Sequence, residues 1–424
     1  MQVLSKSLGL FLLFGCILPV SGAEPDFRRL PLSEYRDKMQ AAWLGQMAGV
    51  GWGQPTEFRY CGRIIPADNM PPWNPDMINQ HKNDDLYVEV SFLRTLAERG
   101  LDVDARRAGI DFANSAFPLW HANKAGRENL RRGIAPPDSG HPHFNPHADD
   151  IDFQIESDFA GIISPSLPQQ AIALAEVFGR MMNYGDGLYA GQFIAAMYSE
   201  AFFESEPAQL AQAALECIPA DSQYAEMVRD VLRWYRANAD DWQKTWRLVE
   251  DKYHADPQYT HGLCSQPGGR DAMSIDAKLN GAYILIGLLY GRGDPEQTII
   301  IACRCGQDSD CNPSNAAGIL FTTLGRARIQ GKFTEKLDLK AKFSHTDYNL
   351  EEIFTVCEKL AREAILKAGG RVETDADGEE VFLIPRQMPR PSRLEKSYEP
   401  GPIADSRYSP EEKARILLPP EQSP

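Results

Sequence analysis

Two acidic doublets, far apart in the chain, share one construction. Asp308 and Asp310 lie in Cys303-Arg-Cys-Gly-Gln-Asp-Ser-Asp-Cys-Asn312, between the apolar run 299–302 and a segment with Ala316, Gly318, Ile319, Leu320 and Leu324 at helical spacing. The two acids therefore sit on a bend between buried elements. Carboxylates this close repel unless a proton or cation stands between them, since like charges at contact distance raise one another's pKa. An oxygen-rich, non-periodic bend suits a hard cation such as Mg²⁺. An Asx-rich turn, with Asp310 or Asn312 capping the following helix, would give the same local sequence. The second doublet is Asp84-Asp85 in His81-Lys-Asn-Asp-Asp-Leu-Tyr-Val-Glu89. Leu86, Val90, Leu93 and Leu96 mark one helical face, so Asn83, Asp84 and Asp85 form the first turn, where acids also complement the helix dipole. Two such helix mouths brought together would chelate two cations with carboxylates from remote positions.

Read in order, Gly45-Gln-Met-Ala-Gly49 leading into Gly53-Gln-Pro-Thr-Glu57, then Asn83-Asp84-Asp85, then Gly306-Gln-Asp-Ser-Asp-Cys-Asn312, the chain resembles the ADP-ribosylglycohydrolase family over residues 34–330. The resemblance implies a single all-helical domain holding two Mg²⁺ ions between the middle and last motifs. Asp84, Asp85, Asp308 and Asp310 would be metal ligands, and Glu57 the acid facing the substrate ribose. Glu57, Asp85 and Asp308 form the candidate catalytic set. Two positions depart from the family's wording: Asn83 and Cys311 stand where threonines are common. Asn83 can still offer a carbonyl oxygen, whereas Cys311 is a soft donor poorly matched to Mg²⁺. Both are kept in the candidate ligand set. The family's substrate is ADP-ribose on a protein side chain, often arginine or serine.

Composition sets bounds on these readings. A chain of 424 residues with a 43% hydrophobic fraction has ample material for one large core. A formal charge of -15 argues against nucleic acid, because phosphate binding needs clustered Lys and Arg. Residues 1–22 carry Lys6, an apolar run 8–18 and small residues up to Ala23, the pattern of a secretory signal peptide too short to span a membrane stably. Leu13-Phe-Gly-Cys16 approximates a lipoprotein box, so export to the periplasm or outside, with a possible lipid on Cys16, is expected. No other stretch is apolar and long enough to span a bilayer. Eight cysteines offer no zinc signature, and a disulfide among Cys61, Cys217, Cys264 and Cys357 cannot be paired from spacing.

The elements that must position the acids follow from periodicity. A first helix begins near Ser33 and ends at Gly49, Gly51 and Gly53, which read as a C-cap or as a close approach to substrate. An irregular Pro- and Asn-rich cover runs from Phe58 to Asn79, after which His81 can face the site or the surface. The stretch 133–152 holds His141, His143 and His147 before Asp149-Asp150-Ile-Asp152. Its spacing fits no helical ligand pattern, so it reads as a substrate-side loop rather than a transition-metal site. Glu156 and Asp158 sit among apolar neighbours, where they contact substrate or cap a helix. Asp186 and Tyr189, at the turn Asn183-Tyr-Gly-Asp-Gly-Leu-Tyr189, occupy a place the resemblance makes substrate-facing. Arg270 in a glycine-rich loop is a candidate phosphate contact, and Asp276 and Asn280 start an apolar helix that can reach the same cavity.

The fold expected is all-α: a single compact helical domain over 30–335, a helix plus β-hairpin extension over 336–384, and an extended or disordered tail over 385–424 rich in proline. The function expected is a Mg²⁺-dependent glycosidic hydrolase acting on a small-molecule or side-chain-linked sugar. An exported enzyme for another N- or O-linked sugar, or a non-catalytic binder of an ADP-ribose-like ligand, are the alternatives.

Overall fold

The computed structural model describes residues 26–262, 273–329 and 331–420. Its centre is a group of helices buried along most of their length. In Leu32–Gly53 every residue from Ala41 onward is buried, in Cys311–Leu324 every residue through Thr323, and in Ala277–Gly291 all of them. A helix buried all round belongs inside a large protein. Around them lie amphipathic helices such as Gln223–Ala237 and Trp242–Val249, each turning one apolar stripe inward. No described helix is long and apolar enough to cross a membrane.

The glycines of the first motif explain how two central helices meet. A Cβ on Gly45 would lie 2.4 Å from the Ala317 carbonyl oxygen, on Gly49 2.2 Å from that of Pro313, and on Gly53 1.8 Å from that of Ser309. These residues, four apart, form the seam along which the Leu32–Gly53 helix lies directly on the Cys311–Leu324 helix. Gly49, Gly51 and Gly53 therefore sit within a helix and against protein backbone. Neither the cap nor the substrate approach describes them; close packing of backbones does.

The expected hairpin is present as β2 (Arg371–Thr374) and β3 (Glu380–Pro385), with Arg371 opposite Leu383 and Thr374 opposite Glu380. A strand not expected from sequence, β1 (Phe27–Pro31), pairs antiparallel with β3, giving the order β1-β3-β2. Five residues containing Arg28, Arg29 and Pro31 carry no strand signal of their own; pairing with Val381–Pro385 creates it. The helix Leu350–Lys367 lies beside this sheet and opens with a capping box between Asn349 and Glu352.

The tail is extended and fastened to the helical domain. Arg180 pairs with Glu395. The Tyr189 hydroxyl donates to the Arg393 carbonyl at 2.8 Å. Asp138 accepts from Ala404 N and Ser406 N, both at 2.8 Å, and Arg106 pairs with Glu412. Apart from the short helix Pro410–Lys413, the proline-rich tail has no helix or strand among its described residues, and side chains on the domain supply backbone partners.

Candidate functional site

Asn83 caps the helix Asp84–Arg99, its Oδ1 accepting from Asp85 N at 3.0 Å. That bond turns the first helical turn, with Asp84 and Asp85, toward the start of the Cys311–Leu324 helix. The loop before that helix is bent by Gly306 (φ 85°), where a Cβ would lie 2.3 Å from the Tyr60 carbonyl oxygen. Gln307 O accepts from Phe58 N at 3.0 Å and Gln307 N donates to Tyr60 O at 3.0 Å. The hydroxyls of Thr56 and Ser309 meet at 2.9 Å. The loop carrying Glu57 is thus laced to the loop carrying Asp308.

The two doublets converge. Cys311 Sγ donates to Asp85 Oδ1 at 3.1 Å, and Asn83 Nδ2 donates to Asp310 Oδ2 at 3.3 Å. Single donor atoms of Asp308, Asp310 and Cys311 lie within 4.8 Å of one another. Burial and Asp308 together raise Asp310, since two carboxylates so close resist being charged at once. Neither Asp310 nor Asn312 caps the following helix with its side chain. Asp308 Oδ1 accepts from Cys311 N at 3.3 Å.

Electrostatics follow from this crowding. Burial first, then Asp308, pushes Asp84 up to about 6. Glu57, open to solvent at the mouth, is pushed up to about 7 by partial burial of its carboxyl and then by Asp308 and Asp84. Burial and neighbouring carboxylates hold Asp85 and Asp310 well above the usual range. The charged side chains acting on Glu57, Asp84, Asp85 and Asp310, among the described residues, are other acids. Asp85 Oδ2 is buried and meets no hydrogen-bond donor among them.

Such a donor set fits a hard divalent cation: carboxylate oxygens in excess, and one of them orphaned. Cys311 fits less well. Burial and the surrounding acids hold its thiol well above its ordinary pKa, and its proton goes to Asp85. It lines the cluster as a neutral donor.

Glu156 and Asp158 form an outer layer. Asn123 Nδ2 donates to Glu156 Oε1 at 2.6 Å, and Asp158 accepts from the Tyr198 hydroxyl at 2.6 Å and Asn315 Nδ2 at 2.8 Å. Both carboxyls are raised, chiefly by burial, and Glu156 also by Asp152, Asp84 and Asp85. Asp186 and Tyr189, in contrast, are not brought to this cluster. Asp186 Oδ1 accepts from Tyr224 N at 2.9 Å beside Lys278, and the Tyr189 hydroxyl is held by the tail. Asp276 pairs with Lys278 at 2.9 Å, and Asn280 accepts from Asn312 Nδ2 at 2.8 Å. His81 is buried with Nε2 3.1 Å from the Asp338 carbonyl oxygen, a packing role. Arg270, Cys264 and the leader lie outside the described residues.

Two acids were not singled out by sequence reasoning. Glu89 is buried and raised by burial, Asp158 and Asp85; its position one turn after Asp85 on the same helical face was the available signal. Asp152 accepts from Asn123 N at 2.5 Å and is raised by burial, Asp150, Asp84 and Asp308. It stood in the histidine stretch, where its neighbours drew attention away from it.

The ADP-ribosylglycohydrolase family model matches residues 31–369. The chain belongs to the ADP-ribosylglycohydrolase family, whose members are metal-dependent hydrolases of glycosidic bonds. Among solved structures it is similar to an "ADP-ribosylglycohydrolase-related protein complex" at 16% identity and TM-score 0.49, over 78% of this chain and 100% of that one. No curated protein matches the chain.

Proposed function

We propose that this chain is a Mg²⁺-dependent hydrolase that removes ADP-ribose, or a closely similar ribosyl group, from a side chain or small molecule. The observation that carries this reading is the meeting of Asp84 and Asp85 with Asp308, Asp310 and Glu57 in a cluster whose charges are all of one sign. Asp84, Asp85, Asp308 and Asp310 would hold two ions, with Asn83 and Cys311 at their edges. When bound, such ions supply positive charge to ribose hydroxyls and to water. Glu57, at the open mouth, is placed to exchange a proton with the substrate as the anomeric bond breaks through an oxocarbenium-like state. Glu156, Asp158, Asn123, Tyr198 and Asn315 hold the cluster's floor in place.

Export through the leader 1–22 belongs to the same proposal. It favours a substrate met outside the cytoplasm, and N-terminal sequencing of the secreted chain tests it. For the activity, the purified chain is assayed against ADP-ribosylated arginine and serine peptides and a panel of ribosides, with and without Mg²⁺. Release of free sugar only with the cation is expected. Saturable binding of ADP-ribose with no turnover of any substrate would instead mark a non-catalytic binder.

A further inference from the structure

A second cluster lies beside the acid site and has a different donor chemistry. His121 is the first residue of the helix His121–Arg131, and His147 and Asp150 come from the irregular stretch that precedes Asp152. One donor atom from each of His121, His147 and Asp150 lies within 4.8 Å of the other two. The imidazoles meet edge to face with centroids 5.3 Å apart. Sequence spacing could not show this group, because its first member comes from a helix 26 residues before the second.

The geometry points to a separate site for a borderline divalent ion of the Zn²⁺ class, held by His121, His147 and Asp150. Two imidazole nitrogens and one carboxylate oxygen suit Zn²⁺, Co²⁺ or Fe²⁺ better than Mg²⁺, whose preferred donors are all oxygen. Three protein ligands leave at least one position for water, and both half-buried imidazoles keep a route to solvent.

The carboxylate is already oriented, as outer hydrogen bonds orient ligands in metal sites. Asp150 Oδ2 accepts from Ala122 N at 3.0 Å, Oδ1 accepts from Asp152 N at 3.1 Å, and Asn183 Nδ2 reaches Oδ1 at 3.4 Å. The histidines are placed by the same small frame. Asn145 Oδ1 accepts from His147 N at 3.0 Å while its Nδ2 donates to Ala122 O at 3.0 Å. His121 has φ 38°, a left-handed backbone that non-glycine residues adopt rarely and that directs its ring at the start of the helix. An ion here would clip the start of the His121–Arg131 helix to the loop that ends in Asp152. Asn123 and Asp152, bonded to each other two residues further along each segment, are part of the floor of the acid cluster.

The test uses the full chain stripped with a chelator and titrated with Co²⁺ and then Zn²⁺, read by visible absorbance and calorimetry. With excess Mg²⁺ present to fill the acid cluster, one equivalent of Co²⁺ should stay bound with d–d absorbance, without a thiolate charge-transfer band, and should yield to Zn²⁺. It should persist in the Asp308→Ala, Asp310→Ala double variant, which separates it from the proposed hydrolytic centre. His121→Ala and His147→Ala should each weaken it by at least the roughly 10–100-fold that loss of an outer partner already costs. Should either variant fail to fold, proton NMR of the Co²⁺ form of the unaltered chain decides, with hyperfine-shifted ring N–H signals expected from two histidines. Uptake that disappears only with Asp308 and Asp310, a thiolate band, or undiminished binding in both histidine variants would overturn the assignment.

Discussion

Among the described residues two clusters of acids contrast, one built around a buried lysine and one around other acids. Around Lys278, the carboxylates of Asp276, Asp186 and Asp149 surround a fully buried ammonium, with Asp276 at 2.9 Å. Those acids hold the lysine well above its usual pKa, against the burial that would neutralise it. The chain itself supplies a cation to that group. In the other group, Glu57, Asp84, Asp85, Asp308 and Asp310 face one another, and the charged side chains acting on them among the described residues are acids. That group is incomplete without a proton or an external ion. The difference separates an acid cluster that builds the fold from one that holds something else, although both are equally acidic in sequence.

Breaking the open cluster should have the largest effect. Asp308→Ala with Asp310→Ala is expected to lower cation-dependent turnover by about 10³-fold or more, since ion-assisted charge stabilisation is worth several kcal/mol. The same variant should unfold in denaturant no more easily than the parent when metal-free, because mutual repulsion is relieved. Retained turnover would remove these residues from the site.

The closed cluster should respond the opposite way. Lys278→Met leaves three buried carboxylates without their cation and is expected to cost about 3–5 kcal/mol in urea unfolding. An unchanged midpoint would show that the lysine does not hold that group together.

A smaller effect concerns pH. Carboxyls raised in the folded chain, Asp84 to about 6 and Glu57 to about 7, bind protons more tightly folded than unfolded. Their contribution to stability is therefore fully present only below about pH 4 and is lost as pH rises through 6 and 7. A cation replaces those protons, so the Mg²⁺-induced rise in Tm should be several degrees greater at about pH 8 than at about pH 5. Equal increments, measured by scanning calorimetry, would contradict this.

The smallest and most discriminating change is Cys311→Thr. It exchanges a neutral thiol for a hard oxygen donor and should tighten half-saturation by Mg²⁺ by about tenfold or less. Weaker binding would mean that the sulfur contributes directly.

Much of the site was legible in the chain. Asp84 and Asp85 in the first turn and the bend at Asp308 and Asp310 follow from local rules, and the structure has both, with Asn83 as the cap just outside the turn. The hairpin at Asp375-Ala-Asp-Gly378 was equally local. What escaped depended on partners elsewhere. The helix does end at Gly53, but why glycine stands at 49 and 53 appears only when another helix is laid across them. Asp186 looks like a site acid until Lys278 is found beside it. β1 exists because β3 lies next to it, and the prolines of the tail leave backbone groups that Asp138 and Tyr189 satisfy.

The amino-acid order by itself determined which acids stand at helix mouths, since capping and periodicity act over a few residues. It also determined the helical class, because apolar spacing is a property of each segment. Only the tertiary structure decided which acids remain without a cation and which histidines meet. These meetings depend on distances of a few ångströms between residues tens to hundreds of positions apart, and no local pattern records those distances.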